Sequence, residues 1–248
     1  MPRQARKKSE NGIYHVMLRG INQQQIFEDK EDNLKFLEVL NDYKAISGYE
    51  IFAYCLMGNH VHLLIKVGKE DLCQIFKRIG GRFVYWYNLK YKRSGHLFQD
   101  RFKSEPIDDD SYFLTVIRYI HNNPVKAGLS KTANEYQYSS YNEYTNTDLN
   151  QTVNTKFALN IIDIKQFVKF HIEENEDKCL EIEVNFRLTD KEAWEIIKKT
   201  SKCKSPDQFQ NLDVISRDKN LKKLKEKGLS IRQLSRLTGI SKGIIEKQ

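Results

Sequence analysis

Two apolar runs separated by a turn signal constrain the fold of this chain most strongly. Residues 49–57 and 60–67 are rich in aliphatic and aromatic side chains, as buried strands are. Gly58-Asn59 lies between them and is a typical turn dipeptide. The pair therefore predicts an antiparallel hairpin at the centre of a sheet-containing domain.

The segments that flank the hairpin predict the rest of the domain. Residues 13–19 alternate as a strand does, and residues 32–47 and 71–90 carry apolar side chains at helical spacing. Residues 97–107 predict another strand. Acidic residues 108–110 suit the start of a further helix over 111–122, which we expect to end at Asn123-Pro124. This order is the split βαβ pattern of a ferredoxin-like α+β fold with one added helix.

Charge and composition divide the 248-residue chain into three parts. Residues 1–144 form the predicted α+β domain, and residues 145–186 predict a polar, acidic linker with a net charge of −4. Residues 187–248 carry a net charge of +8 and predict an all-α module, with helices over 189–200 and 219–227. Clustered Lys and Arg favour a polyanionic partner, although a solvated charged surface explains them equally well.

Several classes of protein are disfavoured by the sequence. No apolar run approaches the roughly 18 residues that a transmembrane helix needs, and no apolar segment follows the basic N-terminus as in a secretory signal. The four cysteines are widely spaced and lack a CxxC pair. We therefore expect reduced thiols and a cytoplasmic protein without a membrane partner.

The short motif His60-Val61-His62 is the first candidate for chemistry. Residues i and i+2 of a strand point to the same face, so both imidazoles would lie together. Two neutral imidazoles on a rigid strand provide half of a divalent metal site. The alternative is an incidental pair of histidines in a strand.

Tyr119 and Asn123 are the second candidate, because residues four apart share a helical face. If that face covers the strand, Asn123 supplies an oxygen ligand and Tyr119 points at whatever the metal holds. From spacing alone, the favoured interpretation is a core tyrosine and a helix-terminal asparagine.

A family resemblance favours the chemical interpretation. The chain resembles the single-tyrosine HUH nucleases of the IS200-like transposase group, and most of all the REP-associated tyrosine transposases. The matching segments are Tyr14–Gly20, Met57–Leu64, Gly95–Phe102, Tyr119–Gly128 and Tyr138–Tyr141, in the order of the family. Phe98 replaces the tryptophan that is commoner in the family, which is a conservative apolar change.

The resemblance implies roles for individual residues. His60, His62 and Asn123 would bind Mg²⁺ or Mn²⁺, and Tyr119 would be the nucleophile. Attack on a phosphodiester would give a 5′-phosphotyrosine, so the implied activity is a metal-dependent DNA strand transferase acting on single-stranded or hairpin DNA. The resemblance also implies a nucleoid-associated protein and leaves a homodimer open. It does not extend to residues 145–248.

Basic residues outside this motif are candidates for DNA contacts. In the first domain they are Arg82, Arg101, Lys103 and Arg118. Residues 229–245 resemble a helix-turn-helix, in which Arg232 and Lys242 would contact DNA. A two-helix packing element is the alternative for that segment. The remaining histidines that we considered, His15, His96 and His121, are interpreted as structural.

Two other functions remain open at this point. A domesticated DNA-binding regulator would keep the fold and lose turnover. An RNA-binding ferredoxin-like module is less favoured, because the aromatic RNP strands that such modules use are not evident.

Overall fold

The structure is a computed structural model that describes residues 6–146, 152–175, 177–180 and 190–247. It divides into two units, Met1–Ile182 and Glu183–Gln248. The division falls inside the segment 145–186, where the sequence places the boundary.

A four-stranded antiparallel sheet forms the centre of the first unit. Its strands are β1 Ile13–Arg19, β2 Glu50–Met57, β3 His60–Lys66 and β4 Lys103–Pro106, in the spatial order β2-β3-β1-β4. β2 and β3 are the predicted hairpin, and β1 lies antiparallel to both β3 and β4. This is the strand order of a split βαβ unit, so the predicted ferredoxin-like fold is confirmed.

Helices cover the sheet. α1 Lys30–Ser47 packs against α2 Leu72–Lys90, where the rings of Phe36 and Phe83 meet edge to face. α3 Asp110–Lys126 packs on β2 and β3, and its Phe113 meets Phe52 of β2 with ring centroids 5.1 Å apart. Aromatic pairs of this geometry add to the free energy of burial.

α3 continues past the predicted end at Asn122 and includes Pro124. A proline inside a helix costs about 3 kcal/mol, because it removes one hydrogen bond and crowds the preceding turn. Phe113, Val116, Ile117 and Ile120 of the same helix are fully buried. Each such side chain contributes roughly 1.5–3 kcal/mol on burial, which offsets the proline. The extension keeps Asn123 helical, one turn beyond Tyr119.

The predicted strand over 97–107 is shorter in the structure. Only β4 and a single bridge between Gly20 and Phe98 belong to the sheet, because a bend at residues 99–101 separates them. Leu97 remains anchored, since its carbonyl accepts a hydrogen bond from the backbone N–H of Ile21 at 2.9 Å. The bend leaves Arg101 exposed beside the sheet.

The prediction of a polar, acidic linker over 145–186 was wrong, because the described part of this segment contains helices that belong to the first unit. α4 Tyr141–Thr145, α5 Thr155–Ile161 and α6 Ile164–Ile172 belong to the first unit. Phe157 packs on the core, and Ala158 and Phe167 are buried in it. The segment is polar on average because Asn and Thr residues surround these apolar positions, so its composition does not predict a helix. Burial of the apolar face decides the structure.

The second unit is all helical where it is described, as predicted. Its helices are α7 Asp190–Ser201, α8 Pro206–Gln210, α9 Val214–Glu226, α10 Ile231–Thr238 and α11 Lys242–Glu246. It has its own apolar core, formed by Ile197, Phe209, Leu221, Leu224, Leu234 and Ile245 among others. Within the described residues, no helix has both the length and the apolar character needed to cross a membrane.

A buried chain of hydrogen bonds joins α6 to α3. Nδ1 of His171 lies 2.8 Å from the carbonyl oxygen of Phe167, which can only accept, so this nitrogen carries the proton. Nε2 of His171 therefore accepts from Nδ1 of His121 at 3.0 Å, and Nε2 of His121 accepts from the hydroxyl of Ser140 at 2.8 Å. Both rings are neutral in this arrangement. His121 is thus structural, as the sequence suggests.

These buried hydrogen bonds between neutral histidines predict that the protein loses stability in acid. Burial lowers the pKa of His171 to about 4, whereas an unfolded histidine titrates near 6.5. The contribution of His171 to the free energy of unfolding is complete above pH 6.5. It falls at lower pH, because this imidazole binds a proton in the unfolded protein and stays neutral in the folded protein. We expect the titration of His171 alone to lower the free energy of unfolding by roughly 3 kcal/mol between pH 6.5 and pH 4. Urea unfolding across this range measures the slope. A His171→Gln variant should flatten it, and an exposed-site His96→Gln variant should leave it unchanged.

Candidate active site

β3 places His60 and His62 on the same face of the sheet. Their ring centroids are 5.1 Å apart. In the strand register, His62 lies between Cys55 of β2 and Met17 of β1, so it occupies the middle of the sheet and is only 1% exposed. His60 begins the strand and is partly exposed, and its Nδ1 lies 2.6 Å from the side-chain oxygen of Asn59.

α3 brings Tyr119 over the same face. Its ring centroid lies 5.7 Å from that of His62, in an edge-to-face contact, and the side chain is 2% exposed. The ammonium group of Lys126 lies 4.9 Å from the centre of the Tyr119 ring. A phenol on a helix and imidazoles on the neighbouring sheet therefore meet in one place.

Asn123 lies on the same face of α3, one turn beyond Tyr119, because α3 is helical through both residues. Its side-chain nitrogen is buried and has no hydrogen-bond partner among the described residues. Buried amide groups are nearly always paired. The side-chain NH2 group of Asn123 is a donor, so this arrangement fits a side chain whose acceptor is not supplied by the protein itself.

His15 belongs to the same cluster, although the sequence suggests a structural role for it. It is fully buried on β1, and its Nε2 lies 3.0 Å from Nδ1 of His62. Its ring centroid is 5.8 Å from that of Tyr119. The motif gives no sign of this contact, which depends on the register of β1 against β3. A predicted pairing of these two strands is the signal that could have found it.

Burial keeps His15 and His62 neutral. It lowers the pKa of His62 well below its ordinary value, and the neighbouring His15 and His60 lower it further. Burial also lowers the pKa of His15, with the Glu105 carboxylate opposing the shift. Neutral imidazole is the form that binds a metal ion. Among the described residues, no group of three or more His, Cys, Asp or Glu side chains is placed so that it could hold a metal ion.

Arg118, which is a predicted DNA contact, forms an ion pair within the first unit. Its guanidinium makes two hydrogen bonds to the carboxylate of Asp177, at 2.7 and 2.8 Å, and lies 3.7 Å from the centre of the Phe170 ring. Both members of this ion pair are largely buried. Asp177, which supplies this partner, lies in the segment predicted as an acidic linker. The surroundings of Arg118 thus argue for a structural role.

The other candidate DNA contacts are exposed on their units. Arg82 lies on α2, and Lys103 lies on β4 next to Arg101. Arg101 and Lys103 line an open cavity of about 420 Å³ together with Arg6. In the second unit, Arg232 on α10 and Lys242 at the start of α11 are exposed.

Comparison with known proteins agrees with this architecture. The family model described as "Transposase IS200 like" matches residues 8–123. A protein of Haemophilus influenzae described as a REP-associated tyrosine transposase is 30% identical over 105 residues, which are 38% of this chain and 59% of that protein. The match thus spans less than two thirds of the relative's length.

Two solved structures are similar to this chain, and the first of them shows the same fold. A REP-associated tyrosine transposase bound to a REP hairpin superposes with a TM-score of 0.53 at 18% identity, over 73% of this chain and 99% of that one. A protein of Deinococcus radiodurans described as a transposase gives a TM-score of 0.34 at 19% identity, over 49% of this chain and 97% of that one.

The matched segment contains the whole four-stranded sheet and most of α3. Residues 8–123, somewhat less than half of the chain, are similar to the IS200-like transposases. The predicted resemblance of the chain to REP-associated tyrosine transposases is confirmed.

Proposed function

We propose that this chain is a metal-dependent DNA transposase that cleaves and rejoins single-stranded or hairpin DNA through a 5′-phosphotyrosine. The observation that carries the proposal is the contact between the Tyr119 ring and His62, with ring centroids 5.7 Å apart. The hairpin substrate is proposed from the structural relative, which is bound to a REP hairpin.

The residues present fit a divalent cation. His60, His62 and Asn123 would hold Mg²⁺ or Mn²⁺, and imidazole ligands favour Mn²⁺ over Mg²⁺. A bound cation would neutralise the charge of the phosphodiester and orient it for attack. The neutral state of His62 is consistent with such a site.

Tyr119 would provide the nucleophile. Its oxygen attacks phosphorus, the bond from phosphorus to the 3′ oxygen breaks, and that oxygen leaves with a proton as a 3′-hydroxyl. The phenolic proton passes to solvent or to a nearby base. The Lys126 ammonium, 4.9 Å from the ring centre, lies close enough to stabilise negative charge on the phenol. Attack by a second 3′-hydroxyl on the phosphotyrosine reverses the step and joins strands without ATP.

A labelled hairpin oligonucleotide tests this function directly. Incubation of the full chain with Mn²⁺ and a hairpin carrying single-stranded flanks should give an adduct that survives denaturing electrophoresis. The adduct should carry a label placed 3′ of the cleaved bond and lack one placed 5′ of it, and chelation of Mn²⁺ should prevent it. Binding of the hairpin without any adduct would instead favour the DNA-binding regulator.

The second unit supports an additional contact with double-stranded DNA. α10 and α11 are joined at Gly239, which has the left-handed φ of 75° that favours glycine, and Ser230 caps α10. Leu234 and Ile245 are buried between the unit's helices. This arrangement supports the proposed helix-turn-helix, whose second helix would begin with the exposed Lys242.

We expect Lys242→Gln and Arg232→Gln to weaken binding of duplex DNA across all sequences. Each lost phosphate contact should lower the slope of log K against log salt by about one. Fluorescence anisotropy of a labelled duplex over a range of salt concentrations measures this slope. Lys198→Gln, on α7 of the same unit, is the matched control. An unchanged slope in the Lys242 and Arg232 variants would favour a two-helix packing element.

A further inference from the structure

His15 and Glu105 form a second layer behind His62. His15 lies opposite Leu64 in the register of β1 and β3, and His62 lies opposite Met17, so the two imidazoles are diagonal neighbours on one face. Diagonal positions across an antiparallel pair are within reach of ring side chains. Nε2 of His15 lies 3.0 Å from Nδ1 of His62. The sheet itself therefore fixes this contact.

The proton in this hydrogen bond can sit on either ring. Two neutral imidazoles that share one hydrogen bond have one donor and one acceptor. If His62 donates from Nδ1, its Nε2 carries a lone pair and can bind a metal. If His15 donates from Nε2, the proton of His62 sits on Nε2 and blocks the lone pair. Metal binding thus depends on which ring donates.

Glu105 decides between these two states. On β4, its carboxylate oxygen lies 3.9 Å from Nδ1 of His15, which is buried and has no closer hydrogen-bond partner among the described residues. A carboxylate only accepts, so its charge favours the proton on Nδ1 of His15. Nε2 of His15 then accepts, and His62 donates. At 3.9 Å the carboxylate acts on His15 through its charge rather than through a direct hydrogen bond.

Glu105 is itself held in place. The backbone N–H of Leu180 donates to its Oε2 at 3.2 Å. The Tyr112 side chain of α3 also hydrogen bonds to its carboxylate. These contacts fix the carboxylate beside β1 while one oxygen still faces His15. The series Glu105, His15 and His62 therefore runs across three strands of the sheet.

We propose that His15 and Glu105 are positioning residues that set the tautomer and ring orientation of His62, so that its Nε2 is available to the metal ion. The inference rests on the proposed function, because it assigns the pair a purpose at that metal site. Outer partners of metal-binding histidines typically change metal affinity by about 10- to 100-fold.

The tautomer is tested first on the metal-free full chain. Long-range ¹⁵N–¹H NMR distinguishes the two ring nitrogens of each of the six histidines, which single substitutions assign. We expect His62 to carry its proton on Nδ1 in the wild type. In Glu105→Gln, the amide can donate to Nδ1 of His15, so the proton of His62 should shift to Nε2. Wild-type His62 protonated on Nε2 would overturn the proposal.

Metal affinity provides the second readout. Isothermal titration with Mn²⁺ should show binding about 10- to 100-fold weaker in Glu105→Gln and in His15→Leu. His15→Gln keeps an acceptor and should recover part of the affinity. Glu135→Gln makes the same change at an exposed carboxylate outside this site, and it is the matched control. Mn²⁺ affinities within twofold of wild type in both Glu105→Gln and His15→Leu would contradict the proposal.

The two readouts separate this inference from the proposed function. A wild-type chain with His62 protonated on Nδ1 that binds no Mn²⁺ and forms no adduct would refute the metal-dependent function, while the tautomer assignment stands. A chain that forms the adduct but shows the other tautomer would refute only the role of His15 and Glu105.

Discussion

Tyr119→Phe is expected to abolish the covalent protein–DNA adduct, with a loss of cleavage of at least about 1,000-fold. The variant removes only the phenolic oxygen, so the ring can keep its contacts with His15 and His62. Hairpin binding should therefore remain close to that of the wild type. Denaturing electrophoresis of the labelled hairpin measures the adduct, and anisotropy measures binding.

Tyr85→Phe is the matched control for this experiment. Tyr85 lies on α2 and is 63% exposed, so it is an accessible tyrosine outside the cluster of imidazoles. The adduct should persist in this variant at the wild-type rate. An adduct that persists in Tyr119→Phe, and is lost when a different tyrosine is replaced, would show that the nucleophile is misassigned.

His60→Asn should produce the second large effect. Loss of a residue that hydrogen bonds to a metal ligand weakens metal binding by up to about 100-fold. Loss of one of the two imidazole ligands themselves is therefore expected to weaken Mn²⁺ binding by at least about 100-fold. Cleavage should fall in parallel at a fixed Mn²⁺ concentration and recover in part at high concentration. Because His60 is partly exposed at the start of β3, its replacement opens little space in the core. Isothermal titration and the adduct assay measure the two effects.

The control for His60→Asn is the same change at His96, an exposed histidine outside the sheet. His96→Asn should leave both Mn²⁺ affinity and adduct formation unchanged. Adduct formation by His60→Asn at the wild-type rate in low Mn²⁺ would argue against a role for His60 in holding the metal. Thermal unfolding of both variants shows whether either change alters the fold.

Local patterns in the sequence predict the fold well where they are strong. The hairpin 49–67 and the helix over 71–90 follow from runs of apolar residues whose spacing matches one type of element. Predictions failed where a local rule was weaker than burial. Pro124 lies inside α3 because the apolar residues on that helix hold it against the sheet. The polar stretch before α6 folds in part because Phe157 and Phe167 pack with the core.

The sequence likewise predicts one part of the candidate site, and only the tertiary structure decides the other part. Alternation along a strand puts His60 and His62 on one face, and helical spacing puts Tyr119 and Asn123 on another, so the sequence determines each pair by itself. Only the tertiary structure decides that the two faces meet, since that depends on where α3 packs. It also decides that His15 and Glu105 stand behind His62, and that Arg118 is held by Asp177. These contacts join residues from 47 to 90 positions apart, and no local spacing rule reaches across such distances.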